Sequence, residues 1–467
     1  MVHMGKGVRT IKAGIVAAML VIGMSGCPSS PSGTGRSGPG TSVKTYFVDP
    51  AGGTDANPGT SAEKPWKSLS RASQVHLLPG DTLALAAGGR WENEALEVAE
   101  SGTAAAPITI TRYGSATQDP EVTGLAAGYC FLLRGSYLVL AHVRAVSCGY
   151  PGSRPYGGIA VWGSHDVVRD SFIRGHAVGV FIKAGSNHGR YENNVLVDNN
   201  VENVNTPGSN CALPSATRCA DDSGAFGFLV HGDRNELSWN RVSGSAAESY
   251  DYGVDGGAFE IFNGSSNTVH HNVATDNNNF SELGHAAGRR ATDNTFSYNV
   301  IRATCGRLCR EARGLILRGA GSQYGPNTGT VFSNNTFYSD GPTARGVTCH
   351  AGCSAAVLTL RGNIIVTTGS ATGAWSVWSD APFSELANVL NGPYRGFALS
   401  SDSSTGSANF AAAPGDLQIT SGSPAIDRAG TPLFSEDVLH RQVPRNGNCA
   451  GGNYADAGAY EFQPTSC

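Results

Sequence analysis

The sequence predicts an all-β protein of short strands and tight turns, and two features predict it. The 467-residue chain contains 62 glycines, only 4 methionines and only 15% charged residues, a composition typical of turn-rich β structure rather than of long helices. A unit of a short apolar strand, a turn and a second strand also recurs along the body of the chain. Because each unit would pack on its neighbours, the repeat predicts coils stacked into one elongated domain.

Asparagine marks one turn of the repeat. It recurs at intervals of 27 to 46 residues, each time before a residue suited to start a strand, at Asn194, Asn240, Asn272, Asn299, Asn335 and Asn363. The irregular intervals indicate loops inserted between strands of constant geometry. Asparagine at the same point of every coil predicts a ladder of side-chain amides that satisfy one another inside a bend. We therefore assign these residues a structural role and no chemistry.

Two segments match closely enough to predict equivalent strands of successive coils. Residues 222–232, DSGAFGFLVHG, align with residues 255–264, DGGAFEIFNG. In this alignment Glu260 takes the place of Gly227. The alternation within each segment predicts that every second side chain points into the core.

Both ends of this body resemble a known fold family. The opening reads TYFVDP from Thr45, then GGTDANPGT at 52–60, PWKSL at 65–69 and PGDTL at 79–83, and the closing segments are SPAID at 423–427 and DAGAYEF at 456–462. They resemble the ends of right-handed parallel β-helix carbohydrate-active proteins with the pectate-lyase-like fold. The resemblance implies a single-stranded right-handed parallel β-helix catalytic domain over residues 45–467, with an N-terminal capping helix near Leu69 to Val75. It implies action on carbohydrate without choosing between hydrolases and lyases.

The N-terminus predicts export. Lys6, Arg9 and Lys12 precede the apolar run 13–24, which is too short and too terminal for a mature membrane-spanning helix. Residues 24–27, MSGC, resemble the bacterial lipoprotein lipobox, which implies a signal peptide over 1–26 and lipidation of Cys27. The Pro-, Gly- and Ser-rich stretch that follows predicts a flexible linker up to residue 44. We expect an extracellular, cell-surface lipoprotein, with plain secretion as the alternative.

The other ten cysteines fall into five pairs that are close in sequence. Disulfides persist in exported chains, so we predict the pairs Cys130/Cys148, Cys211/Cys219, Cys305/Cys309, Cys349/Cys353 and Cys449/Cys467. Zinc is disfavoured because neither Cys-x-x-x-Cys pair has a second pair with a supporting histidine beside it.

The charge of the chain limits its partners. The net charge is −4, and no lysine follows Lys183, so the sequence lacks the basic surface that nucleic acid requires. We expect a polysaccharide or oligosaccharide as the partner, and a membrane only through the lipid anchor.

Acidic residues concentrate between 221 and 282, and they are the candidate chemistry. Glu260 stands in an apolar strand, where an ionised carboxylate is costly unless it is paired, and such a setting raises the pKa of an acid catalyst. Asp255 opens the same strand, and Glu282 is expected on the next coil. Because stacked strands lie about 4.8 Å apart, acids on neighbouring coils stand at separations that suit glycoside hydrolysis. We predict these three as catalytic residues.

Side chains close to these acids in sequence are candidates for substrate binding. Two tyrosines that can stack on sugars bracket an acid, and two donors follow Glu282. The predicted set is Tyr250, Asp251, Tyr252, His285 and Arg289. Each of these also has a plain structural interpretation as loop packing or surface charge.

Three functions remain open from the sequence. The first is glycoside hydrolysis by a carboxylate pair that requires no cofactor. The second is a calcium-dependent polysaccharide lyase, or C5 epimerase, acting on uronates, with Asp221 and Asp222 as metal ligands together with Asp251 and Asp255. Lyases that the resemblance implies commonly use Lys or Arg as the base, and the acidic stretch offers only Arg234, Arg241, Arg289 and Arg290. The third is a non-catalytic glycan-binding β-helix.

Overall fold

Three long parallel sheets make up the fold. The computed structural model describes residues 42–124, 128–149, 157–205, 222–369, 373–450 and 452–464. Within these ranges the chain visits the three sheets in turn, and each strand pairs in parallel with the equivalent strands of the coils before and after it. The architecture is the predicted right-handed parallel β-helix.

The strands of each sheet stack in chain order. The first sheet contains Thr45–Val48, Thr82–Ala86, Ile108–Tyr113, Leu138–Ala141, Val167–Arg169, Arg190–Glu192, Glu236–Ser238, Thr268–His270, Thr295–Ser297, Thr330–Ser333, Leu358–Arg361 and Ser384–Leu386. The second contains Arg90–Glu92, Glu121–Thr123, Arg144–Val146, Phe172–Arg174, Val195–Val197, Arg241–Ser243, Val273–Thr275, Val300–Ala303, Thr336–Ser339, Ile364–Thr367, Val389–Asn391 and Ser404–Thr405. The third contains Leu96–Val98, Tyr129–Leu133, Gly157–Val161, Val178–Ile182, Phe226–Val230, Gly257–Phe262, Asn279–Gly284, Arg313–Arg318, Arg345–His350, Trp375–Ser379 and Tyr394–Arg395.

Short elements interrupt or close the coils. Three antiparallel pairs join Glu202–Val204 to Ser223–Gly224, Ala247–Ser249 to Gly253–Asp255, and Phe410–Ala412 to Asp416–Ile419. A 3₁₀ turn spans Gly306–Cys309. The α-helix near the start is a single turn, Leu69–Ala72, shorter than the predicted 69–75, and the Ser68 hydroxyl accepts the Arg71 N–H at its N-cap. Leu69 and Ala72 are buried in the core.

Aromatic rings fill the middle coils. The Phe228 ring stacks on Phe259 with centroids 5.1 Å apart, and Phe259 packs edge-on against Phe280 at 5.4 Å. All three side chains are buried, and burial of each contributes about 1.5–3 kcal/mol. This continuous core fixes the register of the third sheet, because a slip of one residue would turn its apolar side chains to solvent.

The predicted asparagine ladder is confirmed. From Asn194 to Asn363, each side-chain amide donates to the side-chain carbonyl of the next asparagine over 2.9 to 3.1 Å. The ladder continues to Asn388, which was not predicted. A second ladder, also not predicted, joins Asn235, Asn267 and Asn294 at another corner of the coil. Its members are buried, like those of the first ladder, so these amides satisfy backbone groups that water cannot reach.

The two matched segments do lie on neighbouring coils, but the predicted alignment is shifted by two residues. Phe228 pairs with Phe259, and Leu229 rather than Gly227 pairs with Glu260. A shift of two keeps every side chain on its predicted face because side chains alternate with a period of two. The sequence alignment therefore placed Glu260 on the correct face of the sheet, although it paired Glu260 with Gly227 instead of Leu229.

Three predicted disulfides are confirmed, namely Cys130–Cys148, Cys305–Cys309 and Cys349–Cys353. Cys449 is also disulfide-bonded, whereas its predicted partner Cys467, together with Cys211 and Cys219, lies outside the described residues. The predicted signal peptide, Cys27 and most of the linker also lie outside them. No helix in the described ranges has the length and apolar character needed to cross a membrane.

Candidate active site

A cavity of about 880 Å³ opens on the outer face of the third sheet. It extends across the strands from Phe226–Val230 to Arg345–His350 of the third sheet. Residues of the loops and of the inserted short strands between these strands form its sides. Five of the residues singled out from the sequence line it: Asp222, Tyr252, Asp255, Glu260 and Glu282. The three acids predicted to be catalytic, Asp255, Glu260 and Glu282, therefore line the same cavity.

Glu260 and Glu282 stand side by side on this face. They are register partners on the neighbouring strands Gly257–Phe262 and Asn279–Gly284, so their backbones are about 4.8 Å apart. Both are half-buried. The flanking Phe259 and Ile261 point into the core and are fully buried, which leaves Glu260 on the outer surface. The two acids therefore lie on neighbouring coils of the same outer face.

An inserted hairpin brings Asp255 to the same place. Its strands are Ala247–Ser249 and Gly253–Asp255, and Asp222 holds its turn. The Ser249 hydroxyl donates to Asp222 Oδ2 over 2.7 Å, and the Asp251 N–H donates to the same oxygen over 2.9 Å. Asp222, although it lines the cavity, is therefore committed to shaping the hairpin.

Burial makes two of the acids hard to ionise. Burial is the main reason why the pKa of Asp255 is raised to about 7. A hydrogen bond from the Gly256 N–H lowers this pKa, and the negative charges of Glu282 and Asp222 raise it. Burial, followed by the charges of Glu282 and Asp255, raises the pKa of Glu260 well above its usual range. Both groups can therefore hold a proton near neutral pH.

An arginine of the following strand contacts Glu282. Arg318 Nη2 forms an ion pair with Glu282 Oε1, and Arg318 Nη1 donates to the Leu283 carbonyl over 2.8 Å. The Arg318 guanidinium also lies 5.8 Å from the centroid of the Tyr324 ring, which lines the cavity. The neighbouring acids thus occupy unlike environments: Glu282 forms an ion pair with an arginine, whereas burial raises the pKa of Glu260.

Other arginines line the side of the cavity towards the later coils. Arg313 pairs with Glu311, and its pKa is lowered to about 10, first by burial and then by Arg345 on the next strand. Arg307 pairs with Glu248 of the hairpin. Arg310 also lines the cavity. Glu311 also lines the cavity, so two of these three arginines are balanced by a glutamate, and the Arg307–Glu248 pair joins this wall to the hairpin.

The remaining predicted binding residues do not line the cavity. Tyr250 is 67% exposed at the tip of the hairpin, and the Asp251 carboxylate accepts the Asp222 N–H over 3.2 Å. His285 is buried, with Nδ1 3.1 Å from the Ala286 carbonyl, and Arg289 is exposed in the loop after the Asn279–Gly284 strand. The arginines proposed as lyase bases, Arg234, Arg241, Arg289 and Arg290, are also absent from its lining.

Sequence reasoning missed four residues around the acids. Arg313 and Arg318 begin and end an alternating strand, a pattern that places charges outward but does not say which acids they meet. Tyr324 comes from a loop that the sequence does not position. Glu202 lies close to the hairpin acids, and its pKa is raised to about 8, chiefly by burial and then by the charges of Asp255 and Asp222. It precedes the acidic stretch 221–282, and no sequence pattern marked it as part of the site.

The described acids do not form the calcium site of the lyase hypothesis. Calcium takes six to eight oxygens at about 2.3–2.6 Å. Among the residues that the structure describes, Asp222, Asp251 and Asp255 do not gather ligand atoms within 4.8 Å of one another, and Asp222 is engaged with the hairpin. Asp221 lies outside the described residues.

Comparison with known proteins supports the architecture. No protein-family model matches the chain. Over 116 residues, 24% of the chain, the sequence is 34% identical to a lacto-N-biosidase of Bifidobacterium longum subsp. longum, but the match spans only 7% of that protein's length. The pectate lyase Pel9A is similar with a TM-score of 0.56 and 15% identity, over 91% of this chain and 98% of its own. The structure of XylC in complex with xylose is similar with a TM-score of 0.57 and 10% identity, over 90% of this chain and 98% of the XylC chain. The chain therefore has the right-handed parallel β-helix fold of the pectate-lyase-like type.

Proposed function

We propose that this protein is an exported glycan-degrading enzyme, a glycoside hydrolase that cleaves the bond with the carboxyl groups of Glu260 and Glu282. The observation that carries the proposal is the placement of these two acids on adjacent strands inside one cavity. A spacing of one coil, about 4.8 Å, suits the carboxyl separation of about 5–5.5 Å in enzymes that retain anomeric configuration. The similarity to a lacto-N-biosidase agrees with hydrolysis.

The environments of the two acids support a division of roles. Glu260 holds a proton and donates it to the oxygen of the leaving sugar. Glu282, ion-paired with Arg318, attacks the anomeric carbon or stabilises its charge. After departure of the leaving group, deprotonated Glu260 takes a proton from the incoming water. Asp255 at the cavity wall raises the pKa of Glu260 and binds a sugar hydroxyl.

A product analysis tests this reaction. We digest a panel of neutral and uronate-containing glycans and expect, by mass spectrometry, products whose masses add up to the mass of the intact glycan plus one water. Hydrolysis adds water to the cleaved bond, whereas a lyase eliminates across it and leaves an unsaturated sugar that absorbs in the ultraviolet. Unsaturated products would overturn the hydrolase proposal. Sugar binding without any product would favour a glycan-binding protein instead.

One observation supports a lyase or epimerase as the second candidate. Arg313 lines the cavity, and its pKa is lowered to about 10 by burial and by Arg345. A lowered pKa increases the fraction of arginine that is neutral and can accept the C5 proton of a uronate. If the product analysis gives unsaturated sugars, Arg313 and not the four arginines predicted from the sequence is the base to test.

The pH dependence of catalysis tests the role of Arg318 as a positioning residue. Activity requires protonated Glu260, so kcat/KM falls as the pH rises through the apparent pKa of that group. Arg318 lowers the pKa of Glu260. We expect Arg318→Met to move this high-pH limb of the kcat/KM profile to higher pH, because a nearby opposite charge favours the ionised form of a carboxyl group.

The matched control is Arg310→Met, which removes a cavity-lining arginine outside the Arg318–Glu282 pair. It should leave the high-pH limb within a few tenths of a unit of its wild-type position. Equal profiles for wild type and Arg318→Met would contradict the assigned roles, even if the overall rate fell.

A further inference from the structure

One row of outward side chains runs along the third sheet from Glu282 towards the later coils. Register pairing places Ile316 beside Glu282, then Thr348, Trp378 and Arg395 on the strands that follow. Ile316 and Thr348 belong to the lining of the cavity. Trp378 is three coils beyond Glu282, which corresponds to about 14 Å. The row therefore leads from the candidate catalytic acids to a tryptophan on the same outer face.

The same row is apolar on the earlier coils. Four apolar side chains stand in register before Glu260, namely Leu229, Phe181, Ala160 and Leu132. Ala160 and Leu132 are buried in one apolar cluster although they stand on the outer face. Side chains of this kind offer no hydrogen bond to a sugar. The polar part of the row, which can bind a glycan chain, lies towards the later coils.

Thr348 carries a buried hydroxyl that can bind a ligand. Its side chain is 6% exposed and lines the cavity, and no group in the described part of the chain forms a hydrogen bond with its Oγ1. A buried hydroxyl without a partner is unfavourable, because it has lost its hydrogen bonds to water. A sugar hydroxyl supplies that bond. Thr348 is two coils beyond Glu282, within reach of a chain bound at the acids.

Two arginines on either side of Thr348 also have hydrogen-bonding capacity to spare. Arg345 Nε is buried and has no hydrogen-bond partner among the described residues, and the Arg395 side chain is exposed. Within the described ranges neither guanidinium forms an ion pair with an acid. Guanidinium groups donate hydrogen bonds and cannot accept them. The oxygens of a sugar are acceptors of the kind that both arginines lack.

Trp378 holds these arginines together and adds an aromatic surface. The Arg345 guanidinium lies 5.3 Å from the centroid of the Trp378 ring, and the Arg395 guanidinium lies 5.6 Å from it. Cations at this distance are attracted to the face of an indole. The tryptophan is half-buried, so part of the side chain reaches solvent. An aromatic side chain between donors is suited to the apolar faces and the hydroxyls of a sugar.

We propose that Arg345, Thr348 and Trp378 form a distal subsite, which binds sugar units of a glycan chain remote from the cleaved bond and thereby selects long chains over short ones. The subsite rests on the proposed function, because cleavage takes place at Glu260 and Glu282. One unit of an extended glycan is about as long as one coil spacing. A chain must therefore continue for about three units beyond Glu282 to contact Trp378, and shorter chains lack these contacts.

The dependence of the rate on chain length tests the distal subsite. Oligomers of two to eight units, prepared from a glycan that the product analysis shows to be cleaved, are compared by kcat/KM. We expect wild type to cleave the octamer with a kcat/KM at least about tenfold above that of the shortest oligomer cleaved, because remote contacts contribute to the rate. Trp378→Ala should reduce this ratio to below about threefold and leave the shortest oligomer within about twofold of wild type.

Trp162→Ala is the matched control. Trp162 is also half-buried, and it lies between two cations, with Arg134 at 4.1 Å and Lys183 at 4.0 Å from the ring centroid. It follows the strand Gly157–Val161, which is three coils before the strand of Glu260. We expect Trp162→Ala to keep the wild-type dependence on chain length. Equal losses in Trp162→Ala and Trp378→Ala would contradict a specific role of the later coils.

Thr348→Val keeps the proposal testable if Trp378→Ala does not fold. Valine has nearly the same shape as threonine and removes only the hydroxyl. We expect this variant to lower the ratio of long-chain to short-chain kcat/KM by about threefold or more, with an unchanged unfolding temperature, since the lost hydroxyl bonds a sugar and not the protein. A purely structural Thr348 would change stability and leave the ratio as in wild type.

Failure of the subsite and failure of the proposed function give different results. A wild-type rate that does not depend on chain length, or a dependence that Trp378→Ala and Thr348→Val both retain, overturns the subsite even when the products contain one added water. Unsaturated products overturn hydrolysis and leave the comparison of chain lengths valid. If no glycan is cleaved, calorimetry with cellohexaose, xylohexaose and chitohexaose replaces the rates. Binding of a hexaose at least about tenfold weaker to Trp378→Ala than to wild type supports the subsite, and equal or absent binding overturns it.

Discussion

Glu260→Gln is expected to lower kcat on the cleaved glycan by about 10²–10⁴-fold, the usual contribution of a general acid. The amide fills the same space but has no acidic proton to give the leaving oxygen. Because the side chain lies on the outer face, beside the core residues Phe259 and Ile261 rather than among them, the variant should fold with a wild-type unfolding temperature. Initial rates and circular dichroism together separate loss of catalysis from loss of structure.

The control for Glu260 is Glu192→Gln. Glu192 is also a half-buried strand glutamate, but it lies in the first sheet, away from the cavity lining. Its replacement should leave the rate within twofold of wild type. A Glu260→Gln enzyme with near-normal turnover would remove Glu260 from the reaction and reopen the choice between Asp255 and Glu282.

Glu282→Ala is expected to abolish glycan cleavage, with a loss of at least about 10³-fold, and to regain turnover with sodium azide. Removing the side chain opens space at the anomeric carbon, where a small anion can attack in its place while Glu260 still protonates the leaving group. The product should be a glycosyl azide of configuration opposite to that of the normal product. Nuclear magnetic resonance of the released sugar reads both configurations.

Asp255→Ala serves as the comparison for azide rescue. Asp255 shares the cavity but comes from the hairpin and not from the sheet. If azide restores Asp255→Ala and not Glu282→Ala, the nucleophile is Asp255 and Glu282 is a supporting residue. If azide restores neither, and wild type inverts the anomeric configuration, a base-activated water replaces the covalent step.

The sequence alone predicted the features that depend on local chemistry and on repetition. Turn-rich composition and the recurring asparagine predicted stacked coils, because an amide ladder needs asparagine at the same point of each turn. Period-two alternation placed Glu260 and Glu282 outward whatever the exact register, which is why a two-residue error in alignment did no harm. The spacing of strands then set the distance between the two acids.

Only the tertiary structure decided which other groups meet those acids. Arg318 is 36 residues beyond Glu282 and reaches it because one coil stacks on the next with a long loop between them. The hairpin turn reaches Asp222, 29 residues before Asp251, through hydrogen bonds that no periodic pattern encodes, while Tyr250, His285 and Arg289, close to the acids in sequence, fall outside the cavity. The path of an inserted loop depends on contacts distant in the chain, whereas the strands follow a local rule. The sequence therefore determined the scaffold and the central acids, and packing between coils determined their partners.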